Sequence, residues 1–180
     1  MDADGVRAFF SIRDWPGQVV GFDLGGRVLE VTGCPGHQEA SIAVYDPWSG
    51  FLVTGDTVYP GRLYVRDYPA FTASLDRLVS LAKDRAVTAV LGCHIEMTRT
   101  PRRDYPLGAA YQPDEPPLPM TVRQLEQVRD AATAVARRPG VHRFDDFAIY
   151  HGVGLRTMVP LLARARWYRL RHRLPRLTRA

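Results

Sequence analysis

The pattern of apolar and polar positions predicts short strands in the first third of the chain and alternating strands and helices after it. Residues 18–23 and 27–32 read as two short strands, and Leu24-Gly25-Gly26 between them suits a hairpin turn. Gly33-Cys34-Pro35-Gly36-His37 breaks the pattern, because neither a strand nor a helix tolerates that composition in its middle. Residues 40–45 predict a third strand. Asp46 to Gly50 predict a turn, and Phe51 to Thr54 predict a short buried strand ending at Gly55-Asp56. Over residues 69–84 the period changes: Phe71, Leu75, Leu78, Val79 and Ala82 recur at spacings of three and four, the mark of one apolar helix face. Val87 to Leu91 predict another strand, running into Gly92-Cys93-His94. Six prolines between residues 100 and 119 predict an extended loop, too long for a plain connection and of the kind that forms lids or binding loops. Thr121 opens a helix to about Arg138, with Val122, Leu125, Val128 and Ala132 on one face, and Pro139-Gly140 stops it. Phe144 to Tyr150 predict a last strand, with His142 and His151 at its ends. The alternation favours a layered α/β fold.

Composition narrows the class. The chain has 180 residues, 46% hydrophobic and 24% charged, which excludes a disordered or fibrous chain and suits one ordinary domain. Its two cysteines, Cys34 and Cys93, make no secreted-type disulfide framework. No run of about 18 apolar residues marks a membrane span. The start shows no basic segment followed by an apolar one, so a cytoplasmic location is expected.

The net charge of +5 is unevenly placed. Eight of the 24 bases and none of the 19 acids lie after residue 150, which leaves 16 bases against 19 acids, a net −3, for residues 1–150. The expected organisation is therefore a body over 1–150 and an arginine-rich amphipathic helix over 151–180. Pro160 is expected as its first helical residue, with Ala163, Trp167, Leu170 and Leu174 aligned between arginines. Such a helix docks on its own domain, on a second subunit, or peripherally on anionic lipid. Nucleic acid is the disfavoured partner, since arginine-rich, lysine-poor usage also follows from a GC-rich coding sequence.

Three side chains stand out by placement. His37, Asp56 and His94 each follow or end a predicted strand, where α/β folds place their sites. Two imidazoles and a carboxylate are a ligand set that zinc, iron or manganese accepts. A carboxylate can also bridge two cations about 3.5–4 Å apart. Taken singly, each residue is more often a turn or capping residue than a ligand.

Together the motifs resemble a known family. Pro35-Gly36-His37 with Ser41-Ile42-Ala43-Val44-Tyr45-Asp46, then Phe51-Leu52-Val53-Thr54-Gly55-Asp56-Thr57, then Leu91-Gly92-Cys93-His94, are similar in order and spacing to segments of the metallo-β-lactamase-fold hydrolases. The resemblance covers about residues 18–97, more loosely to 150. It implies a four-layer αββα sandwich with metals at the edge between two sheets. It implies that His37 binds a first metal, Asp56 bridges and His94 binds a second, with zinc the expected ion and iron or manganese alternatives. The implied chemistry is attack of metal-activated hydroxide on an ester, thioester, lactone, amide or phosphodiester of a small molecule. The family's principal motif, His-x-His-x-Asp-His, lies N-terminal to the Pro-Gly-His segment, and no histidine precedes His37 here. The expectation is therefore a partial sandwich, the C-terminal half, with an incomplete site. Its donors would come from a longer chain or a complementing partner.

Further residues flank the triple. Tyr59, Arg62 and Tyr64 follow Asp56; the resemblance puts them near the rim, where an arginine with aromatic neighbours could hold an anionic group of the substrate. A surface loop with aromatic packing is the other reading. Glu96 and Met97 beside His94 are expected along the same edge. Cys34 and Cys93 read as small buried residues, as a thiolate near metal, or as a redox-sensitive pair brought close by the fold. The alternative to an enzyme is a non-catalytic binding protein. Half of a double-sheet fold leaves an apolar sheet face uncovered, and that face and the basic tail would drive association with a copy of itself or another partner.

Overall fold

The computed structural model describes residues 2–152 and 154–173. In chain order the elements are α1 (Ala3–Phe10), β1 (Val20–Asp23), β2 (Val28–Gly33), β3 (Ile42–Asp46), β4 (Phe51–Gly55), β5 (Arg62–Val65), α2 (Tyr68–Asp84), β6 (Ala89–Gly92), α3 (Val122–Val135), β7 (Gly140–Arg143), β8 (Ala148–His151) and α4 (Leu155–Arg173). They form the mixed α/β architecture expected from the sequence, with a five-stranded sheet β1-β2-β3-β4-β6 and a three-stranded sheet β5-β8-β7. Strands β1 to β4 pair antiparallel, as hairpins do, and β6 joins β4 in parallel. A parallel neighbour needs a crossover, and α2 supplies it.

One face of the large sheet is the core. Tyr45, Leu52 and Val90 lie in register across β3, β4 and β6. They join one buried cluster with Phe71, Leu75, Leu78, Val79 and Ala82 of α2 and Leu125, Val128 and Ala132 of α3. These are the helix faces that the periodicity marks. Both helices start on side-chain caps: Asp67 accepts from the Ala70 N–H at 2.9 Å, and Thr121 and Gln124 cap each other reciprocally. The other face follows the pleat. Val44, Val53 and Leu91 lie in register there, and Phe51 and Val53 are each 42% exposed. Its β1 end is covered, where Phe9 and Phe10 of α1 meet Phe22, with ring centroids 5.9 and 5.2 Å away.

Several expectations need correction. Strand β5 lacks a readable pattern because its first residue, Arg62, is a buried cation. The single strand expected over 144–150 is a hairpin: β7 and β8 pair antiparallel, and Phe144–Phe147 form its turn, with stacked rings 4.9 Å apart. His142 therefore lies within β7, while His151 does end β8. Pro160 sits inside α4, which begins one turn earlier. Among the described residues, no helix is long and apolar enough to cross a membrane.

The face that α4 docks is also not the expected one. Leu161 and Ala165 are buried, and Leu161 packs with Ala148 and Tyr150, while Trp167 and Leu170 point outward. Leu174, Arg176 and Arg179 lie outside the described residues, as do the side chains of Arg156, His172 and Arg173. Polar anchoring selects the docked face. Arg164 donates to the Asp104 carboxylate at 3.0 Å, and the Tyr168 hydroxyl donates to the Tyr111 carbonyl at 2.6 Å.

Asp104 is the hub of a buried charge network. It is 3% exposed and faces Arg62 at 3.2 Å, Arg164 at 3.0 Å and Arg143 at 3.6 Å. Arg62 is bound in turn by Glu96 and by the Tyr105 carbonyl at 2.6 Å. Burial alone would raise the Asp104 carboxyl. The hydrogen bond and charge of Arg164, the hydrogen bond of Arg62 and the charge of Arg143 outweigh it, and the group titrates below the ordinary carboxylate range. A carboxylate depressed on folding contributes stability above its unfolded pKa of about 3.9, and that contribution is lost as pH falls through the lower folded value. Asp104→Asn is expected to cost about 3 kcal/mol, since it removes one of the two acids that face the buried Arg62. Urea unfolding at neutral pH reads this loss. The gap to the parent protein should shrink below about pH 4; a gap that stays constant with pH would refute the electrostatic account.

Candidate metal centre

Three loops at one edge of the large sheet carry the candidate ligands. Parallel pairing of β4 with β6 matches Gly55 to Gly92 after a register shift between Val53 and Gly55. The Cys93 N–H then donates to the Gly55 carbonyl at 3.2 Å, which sets Asp56 beside Cys93 and His94. Gly92 is required by space: a Cβ there would sit 2.3 Å from the Tyr59 Cβ and 2.5 Å from the Val58 carbonyl oxygen. Gly36 is required by both conformation and space. Its φ is +142°, and a Cβ would meet the Phe71 Cα at 2.5 Å. The Gly36 carbonyl accepts from the N–H groups of Arg66 and Asp67, which ties the loop of His37 to the start of α2.

Asp56 is the centre of the arrangement. One carboxylate oxygen, Oδ1, lies 3.1 Å from His94 Nε2 and 3.5 Å from Cys93 Sγ. The other, Oδ2, lies 3.7 Å from His37 Nε2. The structure thus brings His37, Asp56 and His94 together. His37 Nδ1 lies 2.8 Å from the Tyr64 carbonyl. A carbonyl only accepts, so in the neutral ring Nδ1 carries the proton and the Nε2 lone pair faces Asp56. A lone pair facing a carboxylate at 3.7 Å, beyond hydrogen-bond reach, is an arrangement that a cation between them stabilises. The Tyr59 ring meets the His94 imidazole edge-on, 5.5 Å between centroids, and restricts its orientation.

The donor set fits a metal ion on one side better than on the other. Asp56, Cys93 and His94 offer donor atoms all within 4.8 Å of one another. Nitrogen, oxygen and sulfur are all zinc donors. His37 adds one nitrogen on the opposite side of the carboxylate. Two full coordination shells are more than these residues can provide.

Cys93 is exposed, not buried, because it lies past the end of β6. Partial burial, and then the neighbouring Asp56 charge, push its thiol up. Cys34 is fully buried, its thiol pushed up by burial and hydrogen-bonded to Thr57 at 3.3 Å.

The residues expected at the rim are placed differently. The Arg62 guanidinium is buried and committed to Glu96, Asp104 and Tyr105, so it is not free to hold a substrate anion. Tyr59 is buried, and its hydroxyl donates to the Arg62 carbonyl. The Tyr64 hydroxyl accepts from Arg62 at 3.1 Å, and its ring packs on Tyr150; it reaches the centre only through its carbonyl on His37. Glu96 faces Arg62 and Met97 is buried. The proline-rich segment is tied down, with the Asp114 N–H donating to the Tyr105 hydroxyl at 2.6 Å. The arginine that does lie beside the site is Arg66. It lines a cavity of about 660 Å³ together with Trp15, His37, Gln38 and Asp67, and donates to Gln38 at 2.8 Å. Its signal in the sequence was slight, an arginine one residue past a four-residue strand.

Known proteins place the chain. The family model described as the metallo-β-lactamase superfamily matches residues 5–94. No curated protein matches. Among solved structures, the chain is similar to the stereoselective inverting sec-alkylsulfatase Pisa1 from Pseudomonas sp., at 16% identity over 69% of this chain and 18% of that one, with a TM-score of 0.47. It is similar to a metallo-β-lactamase from Pontibacter korlensis, at 15% identity over 64% and 46%, with a TM-score of 0.41. An archaeal metallo-β-lactamase superfamily protein from Sulfolobus tokodaii is 17% identical over 85% and 47%, with a TM-score of 0.42. The chain spans less than half the length of each of these three. The family match covers half of the chain and contains every candidate ligand, and the chain belongs to the metallo-β-lactamase superfamily.

Proposed function

We propose that this chain carries part of a metal-dependent hydrolase site, cleaving an ester, thioester, lactone, amide or phosphodiester of a small molecule. One observation carries the reading: the Asp56 carboxylate lies between two imidazole nitrogens, at 3.1 and 3.7 Å. Asp56 offers one oxygen to each side, as a bridging carboxylate does. His94 holds the fuller side and His37 the sparser one. A divalent ion bound there supplies Lewis acidity and a nucleophile at neutral pH.

The chain's own residues do the positioning. The Tyr64 carbonyl fixes the His37 tautomer, and Tyr59 restrains the His94 ring. Arg66, in the cavity beside His37, is suited to an anionic group of the substrate. These few donors, shared between two positions, leave the site short of ligands. The remaining donors come from another segment or another chain.

The expected result of metal analysis after purification without chelators is at most one ion per chain. Asp56→Asn should lose it while keeping the fold by circular dichroism. Two tightly held ions per chain would overturn the incomplete-site reading. Slow, metal-stimulated turnover of at least one of the five substrate classes is expected, and none across all five would overturn the hydrolase reading.

A second reading, association without catalysis, is favoured by a different observation. The sheet face opposite the helices leaves Phe51 and Val53 each 42% exposed beside Val44 and Leu91. Apolar side chains gathered on one uncovered face of a sheet suit an interaction surface. Light scattering should show self-association that Val53→Lys weakens. A monomer insensitive to salt and concentration would count against this second reading.

A further inference from the structure

We propose that Cys93 is a metal ligand, so that the ion on the His94 side is held by a thiolate, a carboxylate and an imidazole. The proposal rests on the metal reading above and deepens it by naming the class of ion. Cys93 Sγ and His94 Nε2 approach the same oxygen, Asp56 Oδ1, at 3.5 and 3.1 Å. Zinc bonds of about 2.3 Å to sulfur and about 2.0–2.1 Å to nitrogen and oxygen, at tetrahedral angles, put sulfur and oxygen about 3.5 Å apart and nitrogen and oxygen about 3.3 Å. The two observed separations therefore match two edges of one coordination shell that share Oδ1 as a vertex.

The backbone holds this spacing without the ion. The Cys93 N–H is tied to the Gly55 carbonyl at 3.2 Å, so the cysteine cannot swing away from the residue that follows Gly55. Cys34, the other thiol, is buried and hydrogen-bonded to Thr57, so it plays no part. His37 faces Oδ2 and stays on the other side of the carboxylate.

A sulfur donor narrows the candidate metals. Thiolate suits zinc, iron and cobalt(II), whereas manganese prefers carboxylate, carbonyl and water. On coordination the sulfur–metal bond replaces the S–H bond, and the proton leaves to solvent. The site is thus a zinc-class position.

Cobalt(II) titration of the metal-free full chain tests the assignment. The parent protein and Cys34→Ala should develop visible ligand-field bands together with a near-ultraviolet sulfur-to-cobalt charge-transfer band. Cys93→Ser should keep the ligand-field bands, lose the charge-transfer band and bind zinc roughly tenfold or more weakly. Manganese should compete poorly with zinc for the parent protein. Ligand-field bands without charge transfer in the parent protein, or manganese binding as tight as zinc, would overturn the thiolate ligand and leave the metal reading standing. No cobalt bands of either kind would overturn both.

Discussion

Strands β4 and β6 run side by side in parallel, and their ladder shifts between Val53 and Gly55 just before both strands end. Everything at the candidate centre depends on that shift. It delivers Asp56 from one strand end and Cys93-His94 from the other to the same point, with a single backbone hydrogen bond from Cys93 to Gly55 closing the gap. Parallel strands both end at the same edge, so two loops far apart in sequence are superposed without either having to bend back. The crossover that makes β6 parallel is α2, and its first turn carries the contacts that fix the third loop, that of His37. One helix therefore sets two of the three ligand positions: it returns the chain to β6, and it clamps Gly36.

That dependence explains which parts were legible in the sequence. The faces of α2 and α3 follow helical spacing, because every large apolar residue on them enters the same core. The glycines at 36 and 92 were legible as motif residues, and space is what requires them. A Cβ at either position would collide with backbone or Cβ atoms of a neighbouring segment. His37, Asp56 and His94 were visible because they border those glycines or strand ends. Strand β5 and the β7–β8 hairpin were not, since β5 opens on a charged residue and the Phe144–Phe147 turn, with an aromatic at each end, reads as part of a strand. Arg62 misled for a related reason. A charged residue reads as surface, and only the tertiary fold shows Glu96 and Asp104 waiting for it. The docked face of α4 was equally invisible, because the choice between Leu161 and Trp167 is made by Arg164 reaching Asp104, sixty residues away.

Charge is distributed between two regions with opposite characters. Around Asp104, acids and arginines are mutually compensated, with Asp104 and Arg62 buried, and they fasten α4, β5, β7 and the segment after β6 to each other. Around Asp56, the candidate ligands are half-buried or exposed, and they converge on one carboxylate from two sides. The first region contributes to stability and offers no open valence. The second offers open valences and binds little of the fold together, because its atoms belong to loops already held by backbone contacts.

The contrast bears on what the site residues can be asked to do. A buried ion pair that loses one partner strands a charge in low dielectric, so variants in the Asp104 network act on folding first. A donor at Asp56 sits where water can replace the lost contact, so its removal acts on ion binding first and on stability little. The tie from the Tyr64 carbonyl to His37 is a direct link between the two regions, since the Tyr64 hydroxyl accepts from Arg62. Through that residue the rigid network orients an imidazole of the open site, and the order of the centre is inherited from a part of the molecule that holds no ligand of its own.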